Sequence, residues 1–323
     1  MSQYLPGQHQ YCVILAGGDG SRLRSLTRCV STDERPKQFC PFLFGCTPLQ
    51  ATRRRAARSF SFERTLFVVT RAHERFYTDQ LADVASGQVL IQPSNRGTAP
   101  AILLSLLLLN RLDPEASVVF MPSDHHYLDE GLFLEGIQRA FEAVEGQARH
   151  AVLVGASPTH PEVGYGWIEP GTPLDAEGPG GLFRVKRFWE KPTLRVARIL
   201  LNFGCLWNTF VMVGRVGAFL AMIRSASPQL YDEFQRHEAA PGQPSFEPLY
   251  ERLAPVDFSR DILSASTSEL AVLDIGAVGW SDLGEPERVA KLIGQLDSQC
   301  SWLEIWRRSG GSAFSTHCAA KSA

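Results

Sequence analysis

Tyr11-Cys12-Val13-Ile14-Leu15-Ala16-Gly17-Gly18-Asp19-Gly20-Ser21-Arg22-Leu23 decides how the chain is read. An apolar run, Tyr11–Leu15, stops at a cluster of glycines, Gly17, Gly18 and Gly20. A strand that ends in such a turn lets the backbone approach a ligand and aims N–H groups at phosphate oxygens. Two well-known turns of this kind do not fit. The P-loop pattern G-x-x-x-x-G-K-[ST] is not met here. A dinucleotide-binding turn needs a third glycine where Leu23 stands, so Gly18-x-Gly20 matches only in part and a nicotinamide dehydrogenase is disfavoured. Taken alone, the segment is equally a tight turn between a strand and a helix.

Working outward, the same alternation continues. Thr65–Thr70, Val89–Gln92, Ser117–Met121 and Ala151–Gly155 read as strands. Thr47–Arg58, His73–Ala85, Ala99–Leu112 and Leu132–Glu145 read as helices, the last three with apolar residues at helical spacing. Pro100 suits a first helical turn, with Thr98 as its N-cap. Strands alternating with helices predict an α/β fold: a Rossmann-like, mixed, mainly parallel sheet flanked by helices. Ligands then bind beyond the carboxyl ends of the strands. The second half is less regular. Pro158–Gly181 reads as turns or a hairpin, Phe183–Glu190, Thr209–Val213 and Leu270–Asp274 as strands, and Leu194–Asn202, Val216–Ser225 and Glu285–Leu296 as helices. Glu238–Ser245 reads as a loop. This gives a catalytic domain over 1–297 and a C-terminal tail over 298–323, partly mobile, periodic only at Trp302–Trp306.

Composition narrows the classes. Hydrophobic residues make up 44% of the 323 and charged residues 20%, ordinary for a globular enzyme. A net charge of −2 argues against nucleic acid as a partner, so an anionic substrate must be met by local charge. The seven cysteines form no C-x-x-C, and their odd number favours reduced thiols over a zinc site or disulfide framework. Met1–Gln10 is polar and unlike a signal peptide, and the longest apolar run, Ala99–Leu109, is too short to span a bilayer. A cytoplasmic protein without a membrane partner is the expectation.

Arg22, Arg24, Arg28, Arg35 and Lys37 lie in or just after the glycine turn. Such density is usually a solvated surface, but beside this turn it suits a triphosphate. Ala16-Gly17-Gly18-x-Gly20-Ser21-Arg22-Leu23 followed by Pro36-Lys37-Gln38-Phe39 resembles the signature of sugar nucleotidyltransferases, and within them the mannose-1-phosphate guanylyltransferase (GDP-mannose pyrophosphorylase) group. Further blocks follow in the family's order: Asn95–Ala101, Pro122–His125, Gly164–Ile168, Phe188–Pro192, Trp207-Asn208 and Gly279–Gly284. Each is short. Their number and order, from about residue 11 to about 296, make the match specific.

The resemblance implies a nucleotide-diphospho-sugar transferase fold, GTP and mannose 1-phosphate as substrates, and Mg²⁺ as cofactor. Ala16, Gly17, Gly18, Gly20, Ser21 and Arg22 would hold the nucleotide phosphates, with Asn95, Gly97, Thr98 and Ser123 completing the nucleotide site. Lys37 would bind phosphate at the reacting centre, and Asp124 and Asp282 the metal. Glu190 would hold sugar hydroxyls and Lys191 the sugar phosphate, with Gly166 and Asn208 lining the sugar pocket. Arg22, Lys37, Asp124 and Lys191 form the implied catalytic set. Each residue has a plainer reading. Asp124 can cap a turn, Glu190-Lys191 can be an exposed ion pair, Asp282 can start a helix, and Tyr165 and Trp167 can be core aromatics. His125 and His126, adjacent on extended chain, point opposite ways and read as structural.

Several positions depart from the family. Asp19 stands where serine is frequent and Ser21 where threonine is, and Cys29–Arg35 lengthens the link to Pro36-Lys37. Ser259–Leu263 replaces an Ile-Asp-Tyr-Ala block, with Asp261 as the matching aspartate. Asn208-Thr209-Phe210-Val211 replaces Asn-Ser-Gly-Met. These leave open the same reaction with another nucleotide or hexose 1-phosphate, and an idle sugar-nucleotide-sensing paralogue. The retained Lys37, Asp124, Lys191 and Asp282 favour an enzyme. A homodimer is a guess that the sequence does not test.

Overall fold

A computed structural model describes residues 7, 9–43, 45–146, 151–174, 180–238, 245–295 and 301–308. Its nine strands are β1 (Gln10–Leu15), β2 (Thr65–Thr70), β3 (Val89–Gln92), β4 (Ser117–Pro122), β5 (Ala151–Ala156), β6 (Gly166–Pro173), β7 (Leu182–Glu190), β8 (Leu206–Arg215) and β9 (Leu270–Asp274). They form one sheet in the order β3-β2-β1-β4-β8-β5-β9-β7-β6, with β6 also pairing β8. Strands β1 to β4 are mutually parallel, β8 runs against β4 and β5, β9 runs with β5, and β7 runs against β6 and β9. The sheet is therefore mixed, with only β7 and β8 reversed. The carboxyl ends of β1 and β4 lie side by side, Leu15 opposite Pro122, which brings the glycine turn next to Ser123-Asp124.

The helices are α1 (Arg24–Ser31), α2 (Pro48–Ala56), α3 (Glu74–Tyr77), α4 (Thr98–Leu112), α5 (Glu130–Gly146), α6 (Leu194–Asn202), α7 (Val216–Ala226), α8 (Pro228–Glu238), α9 (Glu247–Arg252), α10 (Pro286–Gln295) and α11 (Ser301–Arg308). One sheet face packs on α2, α5 and α6 through Leu49, Phe133, Ile137, Phe141 and Ala197. The other packs on α4 and α7 to α9 through Ile102, Leu106, Phe219, Phe234 and Leu249. A third cluster joins α1, α10 and α11 through Leu26, Ile293, Leu303 and Trp306, so the segment around Trp302–Trp306 is a docked helix. Residues 309–323 lie outside the described residues. Among those described, no helix is long and apolar enough to cross a membrane, and Cys12, Cys29, Cys40, Cys46 and Cys205 are free thiols.

Two expectations change, and the hairpin reading of Pro158–Gly181 is found. His73–Ala85 is not one helix: α3 spans four residues and gives way to 3₁₀ turns at Arg71–His73 and Asp79–Leu81. Helix α4 is capped by Gly97, because the Thr98 hydroxyl instead accepts the Phe258 N–H at 2.8 Å. Pro158–Gly181 does contribute a strand, β6, which forms a hairpin with β7. Elsewhere local chemistry sets the boundaries. Thr47 and Gln50 form a reciprocal capping box at α2, with Pro48 in its first turn.

Candidate active site

The turn after β1 is held from one side. Gln38 Nε2 donates to the carbonyls of Ala16 (3.1 Å) and Gly18 (2.7 Å), and Thr70 Oγ1 donates to that of Gly17 (2.9 Å). In a trans peptide the N–H points opposite to the C=O, so the amides of Gly17, Gly18 and Asp19 face the other way, as a phosphate site needs. Two positions admit no side chain. A Cβ on Gly17 would lie 2.8 Å from Gln92 Nε2, and Gly20, at φ +57°, would put one 2.8 Å from the Lys37 backbone nitrogen. Ser21 opens a short 3₁₀ turn.

Beside this turn is a cavity of about 320 Å³. Of the expected residues, Gly17, Gly18, Asn95, Gly97, Thr98 and Asp124 line it. Ala16, Gly20, Ser21, Arg22 and Ser123 do not; Ala16 and Ser123 are buried, and the Ser123 N–H is bonded to the Leu15 carbonyl. Asn95 Nδ2 donates to Asp19 Oδ2 at 2.8 Å, so the glycine turn is tied to the Asn95 loop. Opposite Gly97 runs the strap Val256–Phe258. Val256 N–H bonds to the Arg96 carbonyl, the Val256 carbonyl accepts from Ala99 N–H, and Phe258 N–H bonds to Thr98. A Cβ on Gly97 would meet the Val256 carbonyl at 2.3 Å.

Sequence reasoning missed Gln92 and Asp257, which also line the cavity, as does Phe210, marked in the sequence only as a departure from the family. Asp261, the aspartate matched to the family's block, lies behind: its Oδ2 accepts the Asp257 N–H at 2.8 Å and it pairs with Arg260. The available signal was Val256-Asp257 ahead of the aromatic Phe258, the order of Ile-Asp-Tyr.

The charged centre is non-local. Buried Lys37 places Nζ 3.1 Å from Asp124 Oδ2 and donates to the carbonyls of Asp282 (2.6 Å) and Leu283 (3.3 Å). Asp282 Oδ1 accepts from Gly284 N–H (2.8 Å) and Arg288 Nη1 (2.6 Å). Arg288 also pairs with Glu162 at 3.2 Å and lies over the Tyr165 ring. Burial alone would raise the Asp282 carboxyl, but the charges of Lys37 and Arg288 outweigh it and hold it below the usual carboxylate range. Trp280 Nε1 donates to His125 Nδ1 at 3.2 Å, which leaves the ring proton on Nε2, 3.7 Å from Asp124 Oδ1. Burial pushes His125 down to about 4, so it is neutral at pH 7 and supports Asp124 as a structural neighbour.

The other cations of the N-terminal cluster do not converge. Arg24 and Arg28 pair with Glu34, and Arg35 with Asp33; for these three the solvated-surface reading holds. Arg22 is exposed and pairs with Glu285, beside Gly284. Among the described residues no three His, Cys, Asp or Glu side chains group as a metal cluster. Asp124 and Asp282 are a two-carboxylate set.

Gly166, Glu190, Lys191 and Asn208 do not line this cavity; they sit on the β6–β7 hairpin and on β8. Gly166 is opposite Glu190 in register, and a Cβ there would lie 3.2 Å from Glu190 Oε2. Lys191 Nζ is 3.2 Å from Glu190 Oε1, with its side chain 60% exposed. Asn208 is buried and its Oδ1 accepts the Phe210 N–H. Tyr165 and Trp167 are core aromatics. Four non-glycine residues have positive φ among the described residues: Thr32 ends α1, while Lys191, Phe210 and Leu283 directly follow or neighbour Glu190, Asn208 and Asp282. Such conformations cost on the order of 1–3 kcal/mol each and concentrate at functional sites.

A glycine turn at the carboxyl end of β1, a buried lysine that joins the Asp124 carboxylate to the backbone of the Asp282 loop, and a mixed sheet covered on both faces define an α/β protein of the nucleotide-diphospho-sugar transferase fold. The chain belongs to the nucleotidyl transferase family, whose profile matches residues 11–298. It is 32% identical over 291 residues to the xanthan biosynthesis protein XanB of Xanthomonas campestris, covering 88% of this chain and 58% of that protein. It is 29% identical over 317 residues to the mannose-1-phosphate guanylyltransferase of Escherichia coli K12, covering 95% and 61%. A Thermus thermophilus structure described as a mannose-1-phosphate geranyltransferase superposes with a TM-score of 0.75 at 28% identity, over 88% of this chain and 79% of that one. The chain thus spans about 60% of the length of these curated relatives.

Proposed function

We propose that the protein condenses GTP with mannose 1-phosphate, giving GDP-mannose and pyrophosphate. The observation that carries this reading is the Lys37 bridge. It joins the glycine turn's neighbourhood to Asp124 and to the Asp282 loop, where a triphosphate lying on the turn would have its reacting end. The relatives that carry the mannose-1-phosphate name support the sugar, and guanine rests on the same likeness.

In this reading a 1-phosphate oxygen of the sugar attacks the α-phosphorus in line and pyrophosphate leaves. The nucleophile is already an anion, so the site needs no general base. Its work is to hold two repelling anions together and to meet charge on the leaving group. The turn amides and Lys37 bind the nucleotide phosphates. Glu190 orients the sugar hydroxyls and Lys191 meets the sugar phosphate. Lys37 and Arg288 hold Asp124 and Asp282 in place. The two carboxylates suit Mg²⁺, which usually takes one or two carboxylates together with substrate phosphates, and no hydrogen bond is formed to Asp282 Oδ2 by the described residues. When bound there, Mg²⁺ would neutralise phosphate charge.

Pyrophosphate release from GTP, ATP, UTP, CTP and dTTP, each paired with mannose 1-phosphate and glucose 1-phosphate, tests the proposal. GTP with mannose 1-phosphate should be fastest, and EDTA should abolish release. A faster second pair would reassign the substrates, and no release from any pair would favour a sensor.

A further inference from the structure

Phe210 is a bulky wall residue of the cavity with a left-handed backbone, at φ +56°. A residue with a Cβ avoids this region, and an aromatic one more so. The chain enforces it. Between Leu153–Met212 and Gly155–Asn208 the register of β5 and β8 shifts, with three residues of β8 spanning what one residue of β5 spans. Such bulges re-aim side chains beside active sites. Two flanking side chains lock this one. Asn208 Oδ1 accepts the Phe210 N–H at 3.0 Å, and Thr209 Oγ1 accepts the Val211 N–H while donating to the Val154 carbonyl at 2.6 Å. The Phe210 ring stands at 89° to the Phe258 ring, and Phe210 lines the cavity.

The cavity lining is of two kinds: the turn residues Gly17 and Gly18 with the Asp124 carboxylate, and the apolar Leu15, Val68 and Ala101 with the polar side chains of Gln92 and Asn95. A flat ring beside apolar surface with polar groups at its edge suits a nucleobase or its ribose. We propose that Phe210 is the selectivity wall of the nucleotide cavity, its ring the face on which the nucleoside lies and its bulk the limit on which nucleosides fit. This rests on the cavity's being the nucleotide site.

The test compares wild type, Phe210→Gly and Phe210→Leu by calorimetric titration with GTP, ATP, UTP and CTP in the presence of Mg²⁺, together with thermal melts. Wild type should prefer one nucleotide. Phe210→Gly relieves the backbone but loses packing on Phe258, so the melts serve to show that it is folded, while the affinity ratio between best and worst nucleotide should shrink at least tenfold. Phe210→Leu keeps bulk without a flat face and should shrink the ratio at least threefold; it decides the matter if the glycine variant does not fold. A discriminating wild type whose ratio survives within twofold in the folded variants overturns the selectivity role alone, as does a wild type that binds all four equally. A wild type that binds no nucleotide overturns the nucleotide reading beneath it.

Discussion

The two halves of the site solve the same backbone problem differently. On the β1–β4 side, left-handed turns fall to Gly20 and Gly97, where a Cβ would strike the Lys37 nitrogen or the Val256 carbonyl. On the β6–β8 side and its Asp282 loop, they fall to Gly276 and Gly279 but also to Lys191, Phe210 and Leu283, which keep their side chains at a cost in strain. The first half offers a ligand mainly backbone amides, so side chains there are an obstruction. The second offers side chains, so it bears the strain of carrying them. A phosphate surface can be shared by many substrates.

That contrast can be broken at the residue that joins the halves. Lys37→Met removes the ammonium linking Asp124 to the Asp282 loop, and turnover should fall about 10²–10³-fold while the fold persists by circular dichroism. Gly97→Ala should destabilise by about 3 kcal/mol in urea titration, from φ +87° and the 2.3 Å clash with Val256. Arg288→Met leaves Asp282 and Glu162 without their shared partner and should cost about 2–3 kcal/mol and raise the Mg²⁺ needed for half-maximal rate, with Arg288→Lys restoring part of both. Lys191→Gly sharpens the comparison with the opposite sign. Relief at φ +43° should raise stability by about 0.5–1 kcal/mol, while the KM for sugar phosphate rises and that for nucleotide does not. A Lys191→Gly protein less stable than wild type would show that the strain reading is wrong there.

The sequence makes the glycine side legible because its signals are local. The apolar run Tyr11–Leu15, the cluster Gly17–Gly20 and the apolar Ala99–Leu109 each sit where they act. Helices α1 and α8 escaped notice because they are mostly polar and bury few side chains: Leu26 and Thr27 in one, Leu230 and Phe234 in the other. The cations Arg24, Arg28 and Arg35 resembled a phosphate patch because partners such as Glu34 and Asp33 satisfy them only in three dimensions. Lys37 stood among them, set apart only by the Pro36-Lys37-Gln38-Phe39 block. Phe210 was visible as a departure from a glycine, but its direction depends on the slip between β5 and β8, and Asp257 on hydrogen bonds to a loop 160 residues earlier.

The central claim is that both halves act as one transfer site, and it is tested most directly by pyrophosphate release from GTP and mannose 1-phosphate in wild type, Asp124→Asn and Asp282→Asn side by side. Wild type should release pyrophosphate only when both substrates are present. Both variants, one from each half, should remain folded and lose turnover at every Mg²⁺ concentration. Near-normal turnover in either variant would contradict the account.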